Sequence, residues 1–133
     1  MSTSVLWTLP VASTALEAGG PAFEIRPVRT VAVRYQYEAE GGSLVVEAVV
    51  FQGVEAFKAT HYHARDASML EAYDRLVDRG STGWLADVRA SLSRHRDPSE
   101  GLMHLMINFD DGPCYEILCR SFRVESASSA NSG

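Results

Sequence analysis

His61 and His63 are the residues whose type and spacing most directly suggest chemistry. In an extended strand, residues two apart share a face, so both imidazoles could converge on one ligand, and His-x-His occurs in zinc and iron sites. Such a site needs a third group, for which His104, Asp110, Asp111 and Glu55 are the candidates. The competing reading is a pair of ordinary boundary histidines on a strand near the start of a helix. No metal is assigned on this signal, and no cofactor is implied. A pocket for a small molecule would instead be lined by Tyr35, Phe57, His61, His63 and His104, provided those side chains meet.

Two other constellations carry less. Asp110-Asp111 could act as a carboxylate pair, because neighbouring acids push each other's pKa values apart. Asp-Asp-Gly is also ordinary turn chemistry, in which aspartate bonds nearby amides, and that reading is preferred. Cys114 could serve as a nucleophile with a histidine as base. Its neighbours Asp110, Asp111 and Glu116 would raise a thiol pKa rather than lower it. Phosphate-cradling glycine motifs, the Gly-x-Ser-x-Gly elbow and the His-Glu-x-x-His helix are missing from the sequence. The reading therefore leans away from catalysis and assigns no catalytic residue.

The elements that would position these groups follow from periodicity. Residues 31–38 alternate apolar and polar, and Gly41-Gly42 separates them from the apolar run 44–51. A two-residue Gly-Gly turn would pair Tyr37 with Val46, Tyr35 with Ala48 and Val33 with Val50, giving a hairpin over 30–51. Gly53 then interrupts an extended stretch that continues over 54–63, as one bent strand or two. Met69, Leu70, Tyr73, Leu76 and Val77 fall at helical spacing behind a Ser68/Glu71 capping box, so a helix is expected over about 68–79. A second helix, over about 82–95, carries Leu85, Val88 and Leu92 on one stripe. The last hairpin spans 102–119. A loop at Asp110-Asp111-Gly112 pairs Ile107 with Tyr115, Leu105 with Ile117 and Met103 with Cys119. Phe122 and Val124 extend it after a break near Arg120. In the N-terminal segment, Val5 to Leu9 suit a strand and Thr14 to Ala18 a helical turn. The expected class is α+β, with a largely antiparallel sheet and two consecutive helices between its strands.

Composition bounds the function. The 133 residues are 46% hydrophobic and carry a formal net charge of −5. A chain of this length forms one domain, expected over residues 1–125, and the Ser/Ala/Asn/Gly stretch 126–133 reads as a disordered tail. No apolar run approaches the roughly 18 residues of a membrane span, and the N-terminus lacks the basic start of a signal peptide. Acidity argues against sequence-independent nucleic-acid binding. Cys114 and Cys119 are five apart, hence on opposite faces of one strand, and cannot bridge to each other. Two buried thiols point to a reducing cytoplasm.

Charge is unevenly placed. Residues 97–119 contain Asp97, Glu100, Asp110, Asp111 and Glu116 and no lysine or arginine, which equals the net charge of the whole chain. An acidic hairpin end built on Asp110, Asp111 and Glu116 would attract a basic protein. The sheet also reads as apolar on both faces, so a face left uncovered by helices needs the N-terminal segment, a second subunit or a ligand. The expectation is a small, non-catalytic cytoplasmic domain that works by protein–protein binding. It would be of the immunity or inhibitor type or a homodimeric accessory protein, with no nucleic-acid or membrane partner. The alternative is a ligand- or metal-binding protein or small enzyme built on His61, His63 and His104.

Overall fold

A computed structural model describes residues 4–17, 20–61, 67–110 and 113–126. In chain order the strands are β1 (Ser4–Thr8), β2 (Ala22–Arg26), β3 (Thr30–Glu38), β4 (Leu44–Gln52), β5 (Ala56–Thr60), β6 (Arg75–Asp78), β7 (Met103–Asn108), β8 (Cys114–Cys119) and β9 (Ser121–Ser126). A single α-helix among the described residues, α1 (Gly83–Arg94), lies between β6 and β7, and short 3₁₀ segments occupy Ser13–Ala15 and Ala67–Ala72. The strands form two antiparallel sheets, a five-stranded one in the order β1-β6-β7-β8-β5 and a four-stranded one in the order β2-β3-β4-β9. Val31, Val33, Tyr35, Val49 and Phe51 of the smaller sheet pack against Leu76, Leu105, Ile107, Tyr115, Ile117 and Cys119 of the larger, so the main core is the layer between the sheets.

The chain passes from the larger sheet to the smaller between β1 and β2 and changes sheet twice more, at positions where the sequence shows a break. Gly53 carries it from β4 to β5, and Arg120 carries it from β8 to β9. The two crossings brace each other. The Arg120 amide donates to the Gln52 carbonyl at 3.0 Å, and its guanidinium donates to the Gly53 carbonyl at 2.8 Å and to the Pro98 carbonyl at 2.7 Å. Gly53 adopts φ 66°, and a Cβ there would lie 3.0 Å from the Arg120 Cβ, so the position demands glycine twice over.

The antiparallel, sheet-rich architecture fits the α+β expectation in outline, but of the two helices expected only one is present among the described residues. The helix expected over 68–79 is replaced by the 3₁₀ segment and β6, which inserts between β1 and β7. Leu76 and Val77 are adjacent and both fully buried, one in the inter-sheet core and the other on the outer face of the larger sheet. Helical spacing and a two-sided strand make the same demand on Leu-Val. Asp74, in a left-handed turn at φ 57°, settles it by ending the 3₁₀ segment and donating its amide to the Asn108 carbonyl at 2.8 Å. The second expected helix is present, capped by Thr82, whose hydroxyl accepts from the Leu85 amide at 3.3 Å.

The hairpin over 30–51 forms, but its register is one residue from the expected one. Tyr37 faces Val45, Tyr35 faces Glu47 and Val33 faces Val49, because Glu40 joins Gly41 and Gly42 in the loop. A one-residue shift exchanges the faces of a strand. Val49 and Phe51 therefore enter the core, while the smaller Ala48 and Val50 join Ala32 on the outside of the smaller sheet. That outer cluster is nonetheless buried. Its face carries an alternating string of ion pairs, Arg34–Glu24 at 2.9 Å, Glu24–Arg26 at 3.0 Å, Arg26–Glu125 at 2.9 Å and Glu125–Arg123 at 2.9 Å, which reaches from the β2 edge to the β9 edge. Long charged side chains thus roof small apolar ones. The β7–β8 hairpin has the expected register throughout, with Ile107 opposite Tyr115, Leu105 opposite Ile117 and Met103 opposite Cys119. Its turn residues Asp111 and Gly112 lie outside the described residues, as do His63, the C-terminal residues 127–133 and part of the extended stretch 54–63.

Candidate functional site

Polar chemistry is concentrated on the outer face of the larger sheet, beneath α1. His104 on β7 and Glu116 on β8 are diagonal neighbours on that face, since His104 stands opposite Leu118. Nε2 of His104 lies 2.8 Å from Oε1 of Glu116, and Nδ1 lies 2.7 Å from the Thr82 hydroxyl. The two residues are 4% and 3% exposed. A neutral ring satisfies this geometry by donating from Nε2 to the carboxylate and accepting at Nδ1 from Thr82, whose oxygen still accepts from the Leu85 amide. The helix cap and the buried carboxylate are thereby joined through one imidazole. Trp84 presents an edge-on ring 5.1 Å from His104, and Lys58 sits 4.5 Å over the Trp84 ring with its Nζ 3.8 Å from Oε2 of Glu116.

Burial by itself would raise the Glu116 pKa. The hydrogen bond from His104 and the positive charges of Lys58 and Arg79 outweigh it, so the carboxyl sits below its ordinary value and stays ionised. With both ring nitrogens engaged inside the protein, His104 has no lone pair to offer a metal or ligand.

The residues expected to line a pocket do not converge. Tyr35 is buried on the inner face of the smaller sheet, where its hydroxyl donates to Glu47 at 2.9 Å. Burial, reinforced by Glu47, pushes its pKa up. Phe57 is on the inner face of β5 against Phe23, with ring centroids 5.0 Å apart. His104 faces the other way. His61, exposed just past β5, lies five residues along from Ala56, the β5 residue level with His104, a separation of about 17 Å. His63 lies outside the described residues, and among those described no group of three His, Cys, Asp or Glu side chains could hold a metal.

The acidic hairpin end is likewise dispersed. Glu116 is buried in the pair just described, and Asp110, at the β7–β8 turn, accepts from the Tyr73 hydroxyl at 2.8 Å. Asp97 and Glu100 precede β7, at the opposite end of the hairpin. Among the described residues, the acids concentrated in sequence are thus spread apart in space. Cys114 and Cys119 form no disulfide and are buried in different layers, and burial pushes the Cys119 thiol up to about 12, which leaves it inert.

A cleft of about 420 Å³ opens where the edges β2 and β5 of the two sheets gape, lined by Ile25, Val31, Val54 and Phe57 and rimmed by Arg29 and Glu55. Ile25 is 73% exposed and Phe57 41% exposed. Beside it, the tip of the β2–β3 hairpin holds Val28 and Arg29 at φ 60° and 51°, a conformation that a β-branched residue rarely adopts. The tip is pinned there by a Val54 amide bond to the Arg29 carbonyl at 3.0 Å and by an Arg29–Glu55 ion pair at 3.0 Å. Val28 is 89% exposed as a result. Sequence reading placed Phe57 near a ligand but passed over Ile25 and Val28. Their signal was there: an apolar residue between Glu24 and Arg26, and a valine in a turn.

A scan of protein-family models, a search of curated proteins and a search of solved structures each found no match to this chain. Among the described residues no helix is long and apolar enough to cross a membrane.

Proposed function

We propose that this domain is a non-catalytic protein-binding module whose contact surface is the mouth between β2 and β5. The observation that supports it is the pair of exposed apolar side chains Ile25 and Phe57 lining a cleft, with exposed Val28 on the adjoining hairpin tip, between two edge strands that pair with no further strand among the described residues. Main-chain groups on an open edge supply hydrogen bonds to an added strand, and the cleft supplies a place for its apolar side chains. The fitting partner is a protein that presents an extended segment with an apolar side chain facing the mouth. The proposal keeps the binding role read from the sequence and moves its surface away from the hairpin of Asp110 and Glu116.

Ligand binding or catalysis centred on His61, His63 and His104 has less to support it. His104 is sealed beneath α1 with both nitrogens bonded, and His61 is far from it. The test is capture from a cell extract with the immobilised chain and with its Ile25→Asp/Phe57→Asp variant. A protein retained by the native chain and lost by the variant supports the mouth as the binding surface. Identical capture by both, or specific capture by neither when the native chain is also a monomer, overturns it.

A further inference from the structure

We infer that the occupant of the β2–β5 mouth is a second copy of this chain, joined edge to edge through β2; this rests on reading the domain as a protein-binding module. The four sheet edges differ in how they are protected. β1 is broken by a register shift between Val5 and Trp7, and β5 carries Lys58 at its centre. Bulges and central lysines are the devices that keep an edge from pairing. β2 has neither. Its charged residues, Glu24 and Arg26, lie on the outer face in the ion-pair string, and between them Ile25 projects on the inner face beside the cleft.

Symmetry selects the register. An isologous antiparallel pair of β2 strands must place its two-fold axis on a residue, because an axis between residues would oppose inner-face with outer-face side chains. Centring on Glu24 opposes Glu24 with Glu24, and centring on Arg26 opposes Arg26 with Arg26. Centring on Phe23 leaves Glu24 opposite Ala22. Only the axis on Ile25 sets Glu24 of each copy opposite Arg26 of the other while bringing the two Ile25 side chains together. The axis then stands perpendicular to the sheet, so both five-stranded sheets lie on the same side and the two clefts close on one another. Ile25 and Phe57 of both copies would fill the joint space. β9 has a similar Arg123-Val124-Glu125 alternation, but Val124 is about half as exposed as Ile25 and does not line the cleft.

Opposed residues of antiparallel strands have Cα atoms about 4.5–5.5 Å apart, within the range of a disulfide. Purified Ile25→Cys protein, treated with a mild oxidant at micromolar concentration, is therefore expected to give a cross-linked dimer, reversible by reductant, well before Val124→Cys does. The native cysteines are buried and do not compete. In sedimentation the native chain is expected at about twice its 14.5 kDa mass, and Ile25→Lys, which opposes two lysines, is expected to weaken association about tenfold or more while leaving the far-ultraviolet circular dichroism unchanged. A native chain that sediments as a monomer overturns the inference, as does cross-linking of position 124 in preference to 25. A monomer that still captures another protein through Ile25 and Phe57 leaves the binding reading standing and removes this one. A monomer without such capture removes both.

Discussion

The two outer faces of the sandwich are both held by ion pairs, and they differ in what covers them. On the larger sheet, α1 lies over His104 and Glu116 and excludes water from the pair. On the smaller sheet the ion pairs are themselves the cover, with Arg26, Glu24 and Glu125 each about 30% exposed above Ala32, Ala48 and Val50. Glu116 and Glu125 are both held below the ordinary carboxyl pKa, yet for different reasons. Glu116 must overcome burial with help from His104, Lys58 and Arg79, whereas the hydrogen bond from Arg26 dominates at Glu125. The same chemistry is thus a structural necessity under the helix and a solvated roof on the other side. A buried charge that loses its partner is stranded; an exposed one is rehydrated.

The sharpest way to break the comparison is His104→Ala. It strands the Glu116 charge with only Lys58 at 3.8 Å and unties the Thr82 cap from the sheet. A loss of about 3–5 kcal/mol is expected from urea unfolding. Replacing both members, His104→Leu with Glu116→Leu, is expected to cost less than the single change, because no charge is left buried. A double variant less stable than His104→Ala would show that the pair contributes more than keeping the buried carboxylate satisfied.

Glu116→Gln is a milder probe. It keeps an acceptor for Nε2 and is expected to cost about 1–2 kcal/mol at neutral pH. Its pH signature is more telling. The folded-state pKa lies below the unfolded one, so the unfolded chain binds the proton more readily and acid favours unfolding. The stabilisation is complete above the ordinary carboxyl value of 4.5 and is lost as pH falls below it through the lowered folded-state value. Melting temperature across that acid range should fall less steeply in Glu116→Gln than in the native chain.

The smallest effect belongs to the other face. Arg26→Ala is expected to cost under about 1 kcal/mol, and part of that loss should fade in high salt, where exposed ion pairs are screened. Arg26→Met retains the apolar stem over Ala32 and Ala48 and should recover the salt-independent remainder. If Arg26→Ala proves as damaging as His104→Ala, the two faces are not different in kind.

Much of this was legible beforehand where the signal is local. The β7–β8 register, the helix carrying Leu85, Val88 and Leu92, and the breaks at Gly53 and Arg120 follow from turn residues and periodicity within a few positions. The same register already put His104 and Glu116 on one face; what it lacked was any sign that α1 would close over them. The β3–β4 slip came from one loop residue, Glu40, on which the hydrophobic pattern is silent because both faces of β4 are apolar.

Residue order was enough for the existence of both hairpins, the helix after Ser81, the thiols on opposite faces and the exclusion of a membrane-spanning run. Packing was needed for the rest. Alternation says which side chains share a face but not what lies against that face, so Leu76-Val77 read equally as helix or central strand until β1 and β7 flanked it. A net charge of −5 adds up along the chain regardless of position, whereas its field depends on distance. Folding buried Glu116, bonded Asp110 to Tyr73, and left the open surface at Ile25, Val28 and Phe57, residues brought together from β2, the β2–β3 turn and β5.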